Sequence, residues 1–101
     1  MSNILEHNKV VLQSLCEKYD IKTMYAFGSA TTTDFNEASD IDLLISFKDI
    51  PFDQYTDNYF NLHEELERLF KRKVDLLTER ALSNPYFIRS IENTKQLLYA
   101  A

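Results

Sequence analysis

Asp40 and Asp42 stand one residue apart in SDIDLLISF (residues 39–47), at the mouth of an apolar run. In an extended strand alternate side chains share a face, so both carboxylates point the same way, roughly 7 Å apart along the chain. Ile41 and Leu43 then point the other way, into a core. Carboxylates so placed repel and raise one another's pKa unless a cation neutralises them. Mg2+ is the natural partner, since it binds through one or two carboxylates and completes its shell with water and substrate phosphates. An isolated Asp-x-Asp is as readily a solvated strand entrance, and two further features bear on the choice. Gly28, the single glycine of the chain, precedes Ser29. Glycine lets a ligand approach the backbone closely, and serine can cap a following helical turn whose free N–H groups suit phosphate oxygens. A plain turn would use the same pair, but would not require the sole glycine to sit there. Asp75, in KVDLLT (residues 73–78), places a charge inside an apolar strand, where an unpaired carboxylate is costly. If that strand lies beside the one carrying Asp42, three acids can hold two divalent ions, an arrangement suited to in-line displacement at phosphorus.

The elements that must position these residues can be read from spacing. Ile4, Leu5, Val11, Leu12, Leu15, Cys16 and Tyr19 recur at helical intervals and predict a helix over residues 3–19, with Ser2 or Asn3 as its cap. Cys16 is a small apolar member of that stripe. Asp20 breaks the pattern, and KTMYAF (residues 22–27) reads as a strand ending at Gly28 and Ser29. ATTTDFNEAS (residues 30–39) is polar and reads as a short helical turn and a loop. A second strand spans residues 40–47, closed by Pro51, which lacks the N–H a ladder needs. Tyr55, Tyr59, Leu62, Leu66 and Leu69 alternate steps of four and three, the core stripe of a helix over residues 52–70. Its charged positions, including HEELER (residues 63–68), read as a solvated face. His63 lacks the second histidine four residues on that a zinc helix carries. Residues 73–78 form a third strand. Asn84 and Pro85 open a last helix that runs through Phe87, Ile88, Ile91, Leu97 and Leu98. This alternation predicts an α/β fold: a small mixed three-stranded sheet packed with about four helices.

With 101 residues and 45% apolar content, the chain is expected to form one domain over residues 1–101. A formal charge of −5 argues against a surface built to grip nucleic acid directly, though not against a nucleotide held through metal ions. The single cysteine can form no internal disulfide, and no apolar stretch reaches spanning length, so a cytoplasmic protein without a membrane partner is expected.

Gly28-Ser29, ten residues, then Asp40-x-Asp42 resembles the signature of the nucleotidyltransferase superfamily that includes DNA polymerase β. The order of elements, with YAFGS, SDIDLL and VDLLT in place, is similar to the minimal nucleotidyltransferase (MNT) domains of bacteria and archaea. The resemblance implies that Asp40, Asp42 and Asp75 bind two Mg2+ ions, and that Asp75 helps to deprotonate the attacking hydroxyl. It implies that Gly28 and Ser29 hold the triphosphate of ATP. It also implies transfer of AMP to a hydroxyl, a tyrosine's, on a helical toxin of the HEPN (higher-eukaryote-and-prokaryote nucleotide-binding) class, with this chain as antitoxin. An antitoxin that neutralises its toxin by binding alone is the other implied reading. The chain departs from the family in one place. Family members usually carry an arginine directly after the serine, where Ala30 stands here; a lysine or a partner residue could substitute for that phosphate-facing cation. A simple divalent-ion sensor is a third and weaker reading.

Overall fold

The computed structural model describes residues 3–31 and 39–101. Two short helices, α1 (Asn3–His7) and α2 (Lys9–Lys18), replace the single helix expected over residues 3–19. Asn8 separates them: its side-chain amide donates to the Ile4 carbonyl at 2.8 Å, so a local side-chain bond competes with the continuous ladder. The expected cap residue Ser2 and the Asn3 side chain lie outside the described residues. Leu5, Leu12 and Cys16 are buried, and burial pushes the Cys16 thiol up to about 12, which keeps it neutral as a core residue. Asp20 makes the turn into the sheet in the left-handed region at φ 60°.

Strand β1 (Ile21–Phe27) runs into a single 3-10 turn, Gly28–Thr31. Residues 32–38 of the expected loop lie outside the described residues. Strand β2 (Ile41–Phe47) begins one residue later than expected, leaving Asp40 just ahead of its first rung. Helix α3 (Phe52–Phe70) matches its predicted span, closed by Lys71 at φ 55°. Strand β3 (Val74–Thr78) follows, then α4 (Pro85–Thr94), whose first N–H groups are capped by the Asn84 carboxamide.

A fourth strand, β4 (Gln96–Ala100), takes the place of the expected last turns of that helix. Thr94 and Lys95 interrupt the apolar helical spacing, and Lys95 turns extended at ψ 142°. Leu98 is then 5% exposed and Leu97 52%, the alternation of a half-buried strand. The open edge of β1 offers QLLYA a ladder, and that long-range pairing overrides the local pattern. The sheet therefore has four strands rather than three, in the order β3-β2-β1-β4. β1 is antiparallel to both neighbours, and β2 is parallel to β3 through α3 as crossover.

The main core lies between one sheet face and helices α1, α2 and α3. Ile21, Met24, Ile41, Leu43, Ile45 and Val74 from the strands meet Leu5, Leu12, Leu62 and Leu66. Each buried Leu contributes about 1.5–3 kcal/mol relative to exposure. On the other face Phe27, Leu44 and Ile91 form a smaller cluster with Tyr25 and Leu77 beneath α4. The outer edge of β3 is closed by α3 side chains one turn apart. The Tyr59 hydroxyl donates to the Leu76 carbonyl at 2.6 Å, His63 Nε2 bonds the Val74 carbonyl at 2.7 Å, and Glu67 accepts from the Val74 amide at 2.9 Å. His63 and Glu67 thus blunt an edge strand rather than forming part of a purely solvated face. Glu64 and Arg68, paired at 2.8 Å and both well exposed, keep the solvated role predicted for that segment.

Candidate active site

The parallel register of β2 and β3 decides where the acids meet. Its first rung is the Ile41 amide donating to the Lys73 carbonyl at 3.1 Å, after which Asp42 falls directly opposite Asp75. The same register places Leu44 opposite Leu77, so acids and apolar side chains line one face in succession. Arg72 ties the turn before β3 to the approach of β2, donating from Nη1 to the Ser39 carbonyl at 3.0 Å. Asp40 thus leaves a backbone braced on both sides.

Asp42 and Asp75 are direct partners across the ladder, which brings their carboxyl groups together. Burial, the adjoining Asp75 carboxyl, which favours a proton held between the two, and repulsion from Asp40 push the Asp42 carboxyl up to about 6, with Lys73 opposing. Asp40 stands at the rim. Its Oδ2 lies 4.0 Å from Lys73 Nζ, and the same ammonium lies 3.7 Å from Asp75 Oδ1. Among the described residues no three His, Cys, Asp or Glu side chains close on a single metal-binding point. Two of the predicted acids therefore touch, and the third is joined to them through a lysine.

Gly28 stands against this pair. It has φ +66°, and a Cβ built on it would lie 2.6 Å from Asp42 Oδ2. Both facts require glycine: the conformation is strained for L side chains, and the space is filled by the carboxylate. The sequence placed the glycine beside a ligand; the structure places it beside Asp42 itself. Its amide donates to Thr94 Oγ1 at 3.3 Å, and its carbonyl accepts from Thr31 Oγ1 at 2.9 Å. Four residues of 3-10 turn lack the aligned peptides of a helix dipole, so any phosphate there would meet individual N–H groups rather than a helix end. Ser29 belongs to this turn by its backbone; its side chain lies outside what the structure describes.

A cavity of about 520 Å³ opens over the acids. Asp42, Asp75 and Lys73 form its charged side, and Phe27, Leu77 and Phe87 its apolar side. Phe27 and Phe87 meet edge to face, with centroids 6.2 Å apart. A concave site with an apolar wall and a few converging polar groups is the usual form of a small-molecule site. The donor set suits a hard cation: oxygen ligands only, two carboxyls crowded enough to raise the pKa of one, and positive charge already drawn to the others. A smaller cavity of about 200 Å³, between Lys22, Phe47, Tyr55 and Arg80, contains no acid pair.

Lys73, Arg72 and Thr94 were not singled out from the sequence. KRK directly before VDLL (residues 71–77) was the available signal for the first two. Thr94 carried none, because its contact with Gly28 depends on how α4 packs.

Comparison with known proteins identifies the family of the chain. The family described as Polymerase beta, Nucleotidyltransferase matches residues 8–101. A candidate protein adenylyltransferase of Methanocaldococcus jannaschii, MJ1379, is 34% identical over 99 residues, which are 98% of this chain and 93% of the relative. Protein adenylyltransferase MntA of Thermococcus cleftensis is 31% identical over 72 residues, 71% of this chain and 70% of the relative. Among solved structures, a toxin–antitoxin with AMP-PNP matches with TM-score 0.71 at 20% identity, over 99% of this chain and 75% of the other. A tri-AMPylated Shewanella oneidensis HEPN toxin in complex with an MNT antitoxin matches with TM-score 0.67 at 18% identity, over 96% and 73%. At those identities the structural likeness speaks for the fold. The family match over residues 8–101 and the relatives at over 30% identity go further: this chain belongs to the polymerase β nucleotidyltransferase family.

Proposed function

We propose that the chain transfers AMP from ATP, with Mg2+, to a tyrosine hydroxyl of a HEPN-type toxin and so acts as its antitoxin. The observation that carries this reading is the contact of Asp42 with Asp75 across parallel strands, with the Gly28 backbone packed against the same carboxylate. Asp40, Asp42 and Asp75 are the metal-holding acids, and Gly28 and Ser29 receive the triphosphate. Two Mg2+ ions there would neutralise charge on the attacking and leaving oxygens. Asp75 takes the proton as the acceptor oxygen bonds to the α-phosphorus. The bond from that phosphorus to the bridging oxygen breaks, and pyrophosphate departs with the electron pair. Phe27, Leu77 and Phe87 shield the reacting groups from water on one side.

The relatives support the reaction class by name, and the tri-AMPylated HEPN toxin supports the kind of acceptor. Incubation with ATP labelled at the α-phosphate, Mg2+ and the cognate toxin should label the toxin. Asp42→Asn should abolish the label while the variant remains folded by circular dichroism. A verified partner that stays unlabelled by the native chain would reject the proposal.

Neutralisation by binding alone is the second reading. It draws on the engagement of the Gly28 amide by Thr94, which occupies a donor that phosphate would need. In that case cells expressing the toxin survive equally well with Asp42→Asn.

A further inference from the structure

We propose that Lys73 is a built-in competitor of the divalent ion, and that once displaced it becomes the cation facing the nucleotide's phosphates. This rests on the reading of the acids as a metal site and names a residue role that reading does not contain. Among the described residues Lys73 is the single lysine or arginine lining the cavity with Asp42 and Asp75. Its ammonium lies 3.7 Å from Asp75 and 4.0 Å from Asp40, bridging two acids that do not otherwise meet. Both distances are at the outer limit of an ion pair, and the side chain is 67% exposed, so the attachment is weak and exchangeable.

The backbone of Lys73, by contrast, is fixed. Its carbonyl receives the first hydrogen bond between β2 and β3, so the Cα cannot leave when the ammonium does. A flexible four-carbon stem on an anchored Cα confines the released charge to the rim of the cavity. A doubly charged ion bonding the carboxylate oxygens directly outcompetes a singly charged ammonium held at 3.7–4.0 Å. The polyphosphate that arrives with the metal then presents the nearest negative charge without a protein partner. His63, also on the cavity wall, is committed to the Val74 carbonyl and cannot take this role.

The test uses the full chain, Lys73→Gln and Lys73→Arg, with folding checked by circular dichroism. Without nucleotide, Mn2+ titrated calorimetrically should bind Lys73→Gln about two- to fivefold more tightly than the native chain, the scale of an exposed ion pair. With Mn2+ saturating, a non-hydrolysable ATP analogue should bind the same variant on the order of tenfold more weakly. Lys73→Arg should restore both values. Native binding of metal and nucleotide with Lys73→Gln unchanged in both would overturn this role and leave the metal site standing. Weaker Mn2+ binding by Lys73→Gln would also overturn it. A native chain that binds neither ion nor nucleotide would overturn the role together with the reading beneath it.

Discussion

Glu65 on α3 and Asp42 on β2 are both acids on partly covered elements, yet their surroundings act on them in opposite directions. The Tyr19 hydroxyl donates to Glu65 and Lys18 lies 3.4 Å away, so the Glu65 carboxyl is held below its usual range. Asp42 meets mainly burial and other acids, and is pushed up to about 6. The first carboxylate is satisfied by the fold; the second is satisfied only when positive charge is added. Structural acids are accompanied by donors, whereas an acid set against acids beside an obligatory glycine has the surroundings of a candidate ligand site.

Asp75 provides the sharpest way to break that contrast. Asp75→Asn removes the main acid neighbour of Asp42 and, under the proposed mechanism, both a metal ligand and the proton acceptor. Transfer to the toxin should fall by on the order of a hundredfold or more. In metal-free protein the Asp42 carboxyl should move down from about 6 toward its usual range, as read by carboxyl-carbon NMR titration. An unmoved Asp42 would mean that burial alone sets its state, and that the acids are neighbours without being a pair.

Gly28→Ala tests the same contact from the backbone side. The new methyl would lie 2.6 Å from Asp42 Oδ2 on a residue at φ +66°. Strain of this kind costs about 1–3 kcal/mol, a fall in Tm of roughly 4 °C or more for a chain of this size. Transfer should drop on the order of tenfold as Asp42 is displaced. A variant with native Tm and native activity would show that the close approach has no consequence.

Much of this arrangement was legible in the residues and some of it was not. The strand starts and the alternation of DIDLL fixed which face Asp42 would take, and the spacing of Tyr55, Tyr59, Leu62, Leu66 and Leu69 located α3 to the residue. The meeting of Asp42 with Asp75 needed strand order, which local spacing does not encode; here it depends on α3 crossing over to make β2 and β3 parallel neighbours. β4 was hidden because two adjacent leucines fit a helix stripe and a strand equally well. His63 and Glu67 looked like solvent-facing charge because an edge strand's unpaired groups are invisible until the sheet is assembled.

The smallest effect separates the two acids by the sign of their pH dependence. Asp42 has a folded pKa of about 6 against an ordinary value of 3.8, so protonation favours the folded state. Its stabilisation is complete below about pH 4 and is lost as pH rises through 6. The full shift would correspond to about 3 kcal/mol, but the carboxyl is only partly buried and screening leaves roughly 1 kcal/mol. Glu65, with its pKa lowered from 4.5, works the other way. Its contribution is present above that value and is lost as pH falls through the folded pKa, and for an exposed pair it amounts to a few tenths of a kcal/mol. In chelator, Asp42→Asn should therefore raise Tm by roughly 4 °C or more at pH 7.5 and leave it unchanged near pH 3.5. Glu65→Gln should lower Tm by about 1–2 °C at pH 7.5, with the difference closing as the acid is protonated. Two variants shifting Tm in the same direction at neutral pH would show that the acids share one environment, and the distinction between a satisfied carboxylate and one awaiting a cation would fail.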